Sequence, residues 1–280
     1  MRKLFISSIF IFLVTPSFLF GDPIILDNDS YHVYLADSYS QTVEETREKY
    51  IYSFEVTNKK KGNKKDIKIK TYGIIDAFLT PDRLNVIVHV LPPNTSGRTP
   101  VAKFYQYNLS SLKQIAAIGG LQDTYFSPNK KFGIMEFTFN PYEENEFDAD
   151  GFIDLTKGSP RLKWLDNRKE KVNVFDGLMG DGKKFGDLEG PIGWTPDDNE
   201  MAFIIKWNTF NDDKEINGHG YYLVRVKDLS DNFNISFKPV DLSKIERYGS
   251  PQLTAVEISK NKAILTSMGH TEKIELELPN

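Results

Sequence analysis

The chain has 280 residues and no cysteine, and its 35 Lys and Arg against 39 Asp and Glu give a formal net charge of −4 at pH 7. The lack of cysteine excludes disulfides, thiol nucleophiles and cysteine-ligated zinc. A mildly acidic surface argues against a general nucleic-acid binder, so we expect no nucleic-acid partner. The aromatic fraction of 13% favours sheets, because Phe and Tyr pack well on a pleated, half-buried surface.

The N-terminus predicts export. Arg2 and Lys3 precede an uncharged, mostly apolar run from Leu4 to Phe20, and Gly21 precedes a polar stretch. This order is typical of a signal peptide. We therefore expect residues 1 to 21 to be removed and residues 22 to 280 to form a single domain without a transmembrane segment, located in the periplasm, on the outer surface or outside the cell. An uncleaved anchor is the alternative.

Three strand candidates come next, at residues 31–35, 50–57 and 67–75, and Gln41 to Lys49 predicts a short helix or a long loop. A basic run joins the second candidate to the third and predicts a solvated hairpin tip. The functional alternative is a contact with an acidic partner, such as an anionic glycan, a lipid headgroup or an acidic protein surface. The lysines of this run are Lys59, Lys60, Lys61, Lys64 and Lys65.

A turn of the form Ser/Thr-Pro-Asp/Asn then recurs between apolar segments. Clear copies stand at 80–82, 127–129 and 195–197, and a degraded copy at 259–261. Proline presets φ for the second turn position, and the preceding hydroxyl can bond the backbone ahead. Each copy therefore predicts a tight hairpin that leads into an apolar strand. The predicted strands are 86–90, 132–137, 201–205 and 263–266.

A second recurring feature is a strand that ends in an Asp-Leu or Asn-Leu pair, at Tyr105 to Leu109 and Leu223 to Leu229. Together the two features resemble the TolB-like family of β-propeller repeats, whose blades carry a Ser-Pro-Asp-Gly-Lys type turn and later a Tyr-x-Val-x-Asp-Leu type strand. In this chain Arg83, Lys130 and Asp198 replace the glycine of that turn.

The resemblance covers roughly residues 70 to 280 and implies an architecture rather than an activity. The implied fold is all-β and β-propeller-like, with four to five blades of antiparallel sheet. The N- and C-terminal strands of such a ring can share one blade and so remove an exposed edge. An open stack or a β-sandwich is the alternative.

The sharpest ligand-like pattern has carboxylates at positions 1, 3, 5 and 9 of a nine-residue segment and glycine at position 6. Alternating oxygen ligands can wrap one hard cation while glycine permits a sharp turn, so the pattern predicts a calcium site. It resembles the calcium loops that some propellers carry. An ordinary solvated acidic loop is the alternative. The four carboxylates are Glu146, Asp148, Asp150 and Asp154.

Two long loops carry the remaining candidates. Residues 177–184 nearly match a phosphate-binding P-loop, but Lys184 stands where that loop needs Ser or Thr. Residues 177–190 therefore predict a flexible glycine-rich connection instead. His219 shares the second long loop with two acidic residues, Asp212 and Asp213. These three are candidate partner-binding residues, and a plain polar loop is the alternative.

Export, a broad platform and the lack of a catalytic motif favour a non-enzymatic, monomeric binding or scaffold protein of the bacterial envelope or cell surface. Its partner would be an envelope or extracellular protein, or a glycan, held by loops on one propeller face. One alternative is a hydrolase or lyase that acts on a polysaccharide or peptide through the loop carboxylates Asp148, Asp150, Asp212 and Asp213. Another is a calcium-stabilised structural module.

Overall fold

The computed structural model describes residues 24–44, 47–90, 101–139, 147–157, 160–167, 171–175, 179, 182–211, 216–229, 233–268 and 273–280. Within these ranges the regular secondary structure is entirely β-strand, which confirms the all-β prediction. No helix in this part of the chain has the length and apolar composition needed to cross a membrane.

The strands follow one another in antiparallel pairs, in chain order, and divide into five blades. The first blade contains β1 (Ile25–Asp27), β2 (Tyr31–Glu44), β3 (Arg47–Asn58) and β4 (Lys64–Thr71). The second contains β5 (Gly73–Thr80), β6 (Arg83–Val90), β7 (Val101–Asn108) and the first half of β8 (Gln114–Phe126). The third contains the second half of β8, then β9 (Phe132–Phe139), β10 (Phe147–Asp154), β11 (Arg161–Asn167) and the short β12 (Val172–Asn173).

The fourth blade contains β13 (Lys184–Trp194), β14 (Glu200–Phe210), β15 (Ile216–Lys227) and β16 (Asn234–Val240). A small hairpin of β17 (Glu246–Arg247) and β18 (Ser250–Pro251) connects it to the fifth blade. The fifth blade contains β19 (Leu253–Ser259), β20 (Lys262–Ser267) and β21 (Ile274–Glu277).

One strand serves two blades. Leu121, in the middle of β8, pairs with Ala102 on β7 and with Phe137 on β9. The second and third blades are therefore one continuous eight-stranded sheet, and the sheet order alone hides the boundary between them.

The core lies between successive blades. Four hydrophobic clusters are present in the described chain, and each joins the face of one blade to the face of the next. Burial is nearly complete, and removing this apolar surface from water is the main source of stability. The residue pairs that represent the four clusters in blade order are Phe54 with Leu84, Phe104 with Met135, Ile134 with Phe203, and Leu223 with Leu265.

The recurring turns occupy equivalent places, as the sequence predicted. The three proline turns and the degraded fourth copy each connect the first strand of a blade to its second strand. One backbone hydrogen bond also recurs in four blades. The N–H of the residue that follows the third strand donates to a carbonyl of the turn between the first and second strands. The N···O pairs are Lys59 to Ser30 (2.9 Å), Leu109 to Asp82 (2.9 Å), Leu155 to Lys131 (2.9 Å) and Leu278 to Asn261 (2.8 Å).

Three expectations from the sequence need correction. Residues 41–44 and 47–49 form parts of β2 and β3 rather than a helix or a loop. The glycine-rich stretch is also strand from Lys184 onward, because β13 packs close to the fifth blade. A Cβ at Gly193 would lie 2.7 Å from the carbonyl oxygen of Val256. Finally, the first and fifth blades form separate sheets, so the described terminal strands do not share one blade.

Candidate functional site

The strand order gives the stack two different ends. The turn end holds the connections between first and second strands and between third and fourth strands, and these are short. The ribbon end holds the connections between second and third strands and those between blades. Three long segments between the repeats, 140–150, 176–192 and 207–220, each contain described residues of the ribbon end. Residues 140–146, 176–178, 180–181 and 212–215 lie outside the described residues.

His219 lies in the long β14–β15 ribbon, where it pairs with Asn208. Its Nε2 is 2.8 Å from Oε1 of Glu246, which belongs to the β17–β18 hairpin. The two side chains are 36% and 21% exposed, so a ligand in solvent can reach them. The acidic residue that contacts His219 in the structure is therefore Glu246, 27 positions further along the chain. Asp212 and Asp213 lie outside the described residues.

More side chains of the fourth blade hold the same hairpin. The hydroxyl of Tyr221 donates to the carbonyl of Gly249 at 3.3 Å, and the ammonium of Lys206 donates to that oxygen as well. The hydroxyl of Ser250 donates to Oε1 of Glu189 at 3.3 Å. We call Glu189, Lys206, His219, Tyr221 and Glu246 the ribbon-end network.

Glu189 is the most perturbed carboxyl of this network. Its side chain lies on β13 and is 7% exposed. Burial raises its pKa to about 7, and the nearby negative charge of Asp187 adds to the rise. Lys206 and the hydroxyl of Ser250 act in the opposite direction. Burial also raises the pKa of Tyr221, with further contributions from Glu246 and Glu189. Glu189 can therefore exchange a proton near neutral pH.

Exposed apolar side chains flank the network. Phe210 and Ile216 pair at the tip of the β14–β15 ribbon and are 41% and 59% exposed. Tyr248 is fully exposed in the turn of the β17–β18 hairpin. Met268 is 63% exposed, and its N–H donates to the carbonyl of Gln252 just beyond that hairpin. Apolar groups beside a polar network are typical of protein–protein contact surfaces.

The sequence revealed His219 but not Glu189, Lys206, Tyr221 or Glu246. These residues come from three strands and a connecting hairpin, and their sequence spacing carries no pattern that could have joined them. The one local signal is Gly249, whose φ of 80° marks a sharp turn directly after Tyr248.

The calcium pattern lies on a strand rather than in a loop. Residues 147–154 form β10, and the backbone of a strand advances about 3.3 Å per residue, so its carboxylates are spread along the sheet. Oδ1 of Asp154 accepts from the N–H of Thr156 at 2.8 Å, and Asp150 pairs with Glu136 and Asp166 on the neighbouring strands. Glu146 lies outside the described residues, as does the side chain of Asp148.

No three His, Cys, Asp or Glu side chains of the described ranges are arranged to hold a metal ion. The described part of the acidic pattern, residues 147–154, is therefore a strand rather than a loop. Calcium binding itself stays a prediction, which thermal melts with calcium and with a chelator can test.

The lysine run lies at the turn end, on the hairpin between β3 and β4. Two of its members form ion pairs, Lys59 with Asp27 at 2.8 Å and Lys64 with Glu55 at 2.9 Å. Lys60, Lys61 and Lys65 are exposed. The structure therefore does not bring the lysine run and His219 together, because they belong to opposite ends.

No protein-family model and no curated protein matches the sequence. Similar solved structures include the β-propeller domain of the Trilobed protease from Pyrococcus furiosus, with 10% identity over 88% of this chain and 62% of that chain and a TM-score of 0.35. TolB from Acinetobacter baumannii shows 16% identity over 81% of this chain and 59% of that chain, with a TM-score of 0.25. The acylaminoacyl peptidase from Pyrococcus horikoshii shows 10% identity over 92% and 46%, with a TM-score of 0.36.

The chain therefore spans less than two thirds of the length of these three proteins. The likeness concerns the fold alone. By the order of its strands and the packing of its five successive blades, the chain is a β-propeller-like protein.

Proposed function

We propose that the protein is an exported, non-enzymatic binding or scaffold module of the bacterial envelope or cell surface, which holds a protein or glycan partner at its ribbon end. The observation that carries this proposal is the β17–β18 hairpin, which presents a fully exposed Tyr248 and is held on the fourth blade by His219, Tyr221 and Lys206. Tyrosine is enriched at interfaces because it combines a large apolar ring with a polar tip.

The packing of the blades supports a platform role. Core clusters on both faces of the fourth blade fix the base of the β14–β15 ribbon, so its tip can meet a partner at a small entropic cost. The TolB-like repeat pattern supports the blade architecture that such a platform needs. The signal-peptide pattern of residues 1 to 21 supports export.

A bait experiment tests the binding proposal. The protein is immobilised, incubated with envelope fractions under mild crosslinking, and compared with the variant Ile216→Ser/Tyr248→Ser. Both substituted side chains are exposed, so the fold should be unaffected. We expect one species that the parent retains and the variant loses. Ile25→Ser, which changes an exposed apolar residue of the first blade, is the control and should retain it. Equal retention by all three proteins, or by none, contradicts the proposal.

Export has its own test. The proposal requires the N-terminus of the mature protein near Asp22, which intact mass measurement of the protein recovered outside the inner membrane can establish. An unprocessed chain in the cytoplasm contradicts this part of the proposal without affecting the binding experiment.

A hydrolase or lyase that acts on a polysaccharide or peptide is a second candidate, and the raised pKa of Glu189 favours it. A carboxyl with a pKa of about 7 can serve as a general acid near neutral pH. If the site is catalytic, Glu189→Gln should lower turnover of a polysaccharide or peptide substrate about 100-fold or more. A protein that shows turnover unchanged by this substitution has no catalytic role at Glu189.

A further inference from the structure

A small pocket opens at the turn end, between the hairpins that connect third and fourth strands in the first two blades. Its rim carries Lys61, Lys65 and Asn63 from the first blade and Ser110 from the second. Leu109, which is 3% exposed, contributes to an apolar floor. We call this the hairpin pocket.

The two hairpins have the same backbone conformation. Oδ1 of Asn58 accepts from the N–H groups of Lys60 and Lys61 at 3.1 and 3.0 Å, and Oδ1 of Asn108 accepts from those of Ser110 and Ser111 at 3.1 and 2.9 Å. A backbone bond closes each turn, from Gly62 to Asn58 at 2.8 Å and from Leu112 to Asn108 at 2.7 Å. The walls of the pocket are therefore fixed by two matching sets of hydrogen bonds.

The lysines of the run divide into two kinds. Lys59 and Lys64 lie within 2.9 Å of the carboxylates of Asp27 and Glu55, which neutralise them. Lys61 and Lys65 line the pocket instead, and neither forms an ion pair within the described residues. The pocket lining in this part of the chain contains no carboxylate, so two positive charges share the pocket without compensation.

We propose that the hairpin pocket binds a divalent oxyanion, a sulfate or phosphate group that is either free or part of a larger molecule. Two ammonium groups match the charge of such a group, and each supplies several N–H donors. The side-chain amides of Asn58 and Asn63 add neutral donors at the rim. The apolar floor reduces screening by water, which strengthens the attraction. A carboxylate would leave one of the two charges uncompensated.

A titration of the isotope-labelled protein with inorganic phosphate, at constant ionic strength, tests this proposal. We expect saturable shifts of the backbone amide signals of Asn63 and Ser110 and weaker binding of acetate. The variant Lys61→Gln/Lys65→Gln should bind phosphate about tenfold more weakly. Non-saturable shifts, or shifts spread evenly over the exposed lysines, overturn the proposal.

Matched variants separate the pocket from general charge. Lys68→Gln/Lys70→Gln removes the same two charges from exposed positions further along β4 and should keep the affinity of the parent. Lys60→Gln, in the same hairpin but not in the pocket lining, should also keep it. Equal weakening in the two double variants means that only the net charge matters, which contradicts the proposal. A dispersed amide spectrum for each variant establishes that it is folded.

The affinities of two further ligands show which kind of molecule carries the oxyanion. A sulfated disaccharide that binds more tightly than inorganic phosphate identifies a glycan, and glycerol phosphate that does so identifies a lipid headgroup. The pocket is at the opposite end from the ribbon-end network. Loss of phosphate binding in Lys61→Gln/Lys65→Gln should therefore leave retention of a ribbon-end partner unchanged, and failure of either proposal is visible without the other.

Discussion

The side-chain amide of Asn129 donates to the carbonyl oxygen of Pro196 at 2.8 Å and so joins the proline turn of the third blade to that of the fourth. The backbone N–H of Asn129 also donates to Oδ1 of Asp198, at 3.2 Å. Asn28, in the turn of the first blade, makes the corresponding bond to the carbonyl of Pro81 at 3.3 Å. In the first and third blades an asparagine of the turn therefore links neighbouring blades.

Asn129→Ala should lower the free energy of unfolding by about 1 kcal/mol, because the carbonyl of Pro196 loses a protein donor. Urea unfolding measures the change. Asn199→Ala is the matched control, since its amide bonds only to Asp197 in its own turn, and we expect a smaller loss. Equal losses would mean that the contact between the two turns contributes nothing of its own.

Leu109 and Lys59 occupy equivalent positions in two successive blades, yet they differ in burial. Leu109 is 3% exposed and packs in the cluster between the first and second blades. The side chain of Lys59 is 38% exposed and pairs with Asp27 instead. Leu109→Ala should therefore cost about 2–4 kcal/mol of stability, whereas Lys59→Ala should cost less than about 1 kcal/mol. Similar losses in urea unfolding would show that the first blade is packed on both faces.

The fold could be predicted from the sequence where the residues of a short pattern themselves fix the backbone conformation, as in a turn. The three proline turns and the degraded fourth copy located the second strands of four blades, because each turn preceded a run of apolar residues such as Met201 to Ile205. The second strands of the second, third and fourth blades, β6, β9 and β14, are buried on both faces, so they stand out from their surroundings. The outer strands β11 and β16 went unnoticed, because only one of their faces is covered and their apolar residues are sparse.

The candidate site could be predicted only in part. His219 stood out as a histidine in a long polar loop, but the glutamate that contacts it comes from a hairpin after the end of the blade. A contact across 27 residues depends on how the blades connect, and a single sequence does not encode that in its spacing. The acidic pattern around Asp150 could not distinguish a loop from a strand, since carboxylates at alternate positions suit a strand as well as a calcium loop.

The turn of the fifth blade offers a test of backbone strain. Lys260 has φ 56°, in the left-handed region, where Lys130 and Asp198 in the turns of the third and fourth blades also lie. Lys260→Gly should raise the free energy of unfolding by about 0.5 kcal/mol, because relief of strain exceeds the added entropy of the unfolded chain. Lys262→Gly, two residues later in β20, should lower it by about 1 kcal/mol. A loss of stability in both variants contradicts the prediction.

Glu189 makes the stability of the protein depend on pH. Its pKa of about 7 in the folded state lies above its ordinary value of 4.5, so the folded protein holds this proton more tightly than the unfolded chain. The resulting stability is fully present below pH 4.5 and is lost as the pH rises through about 7. Relative to Glu189→Gln, the parent should therefore lose about 1–2 kcal/mol between pH 4.5 and pH 8, with solvent screening taken into account.

Urea unfolding at intervals of half a pH unit measures this difference, and Glu257→Gln, an exposed glutamate of the fifth blade, is the control. The control measures the effect of removing an exposed glutamate, and this effect is subtracted. A difference between the parent and Glu189→Gln that stays constant over the pH range would then place the carboxyl of Glu189 in contact with water. It would then lack the proton affinity that a general acid needs near neutral pH, and the hydrolase candidate would lose the observation that favours it.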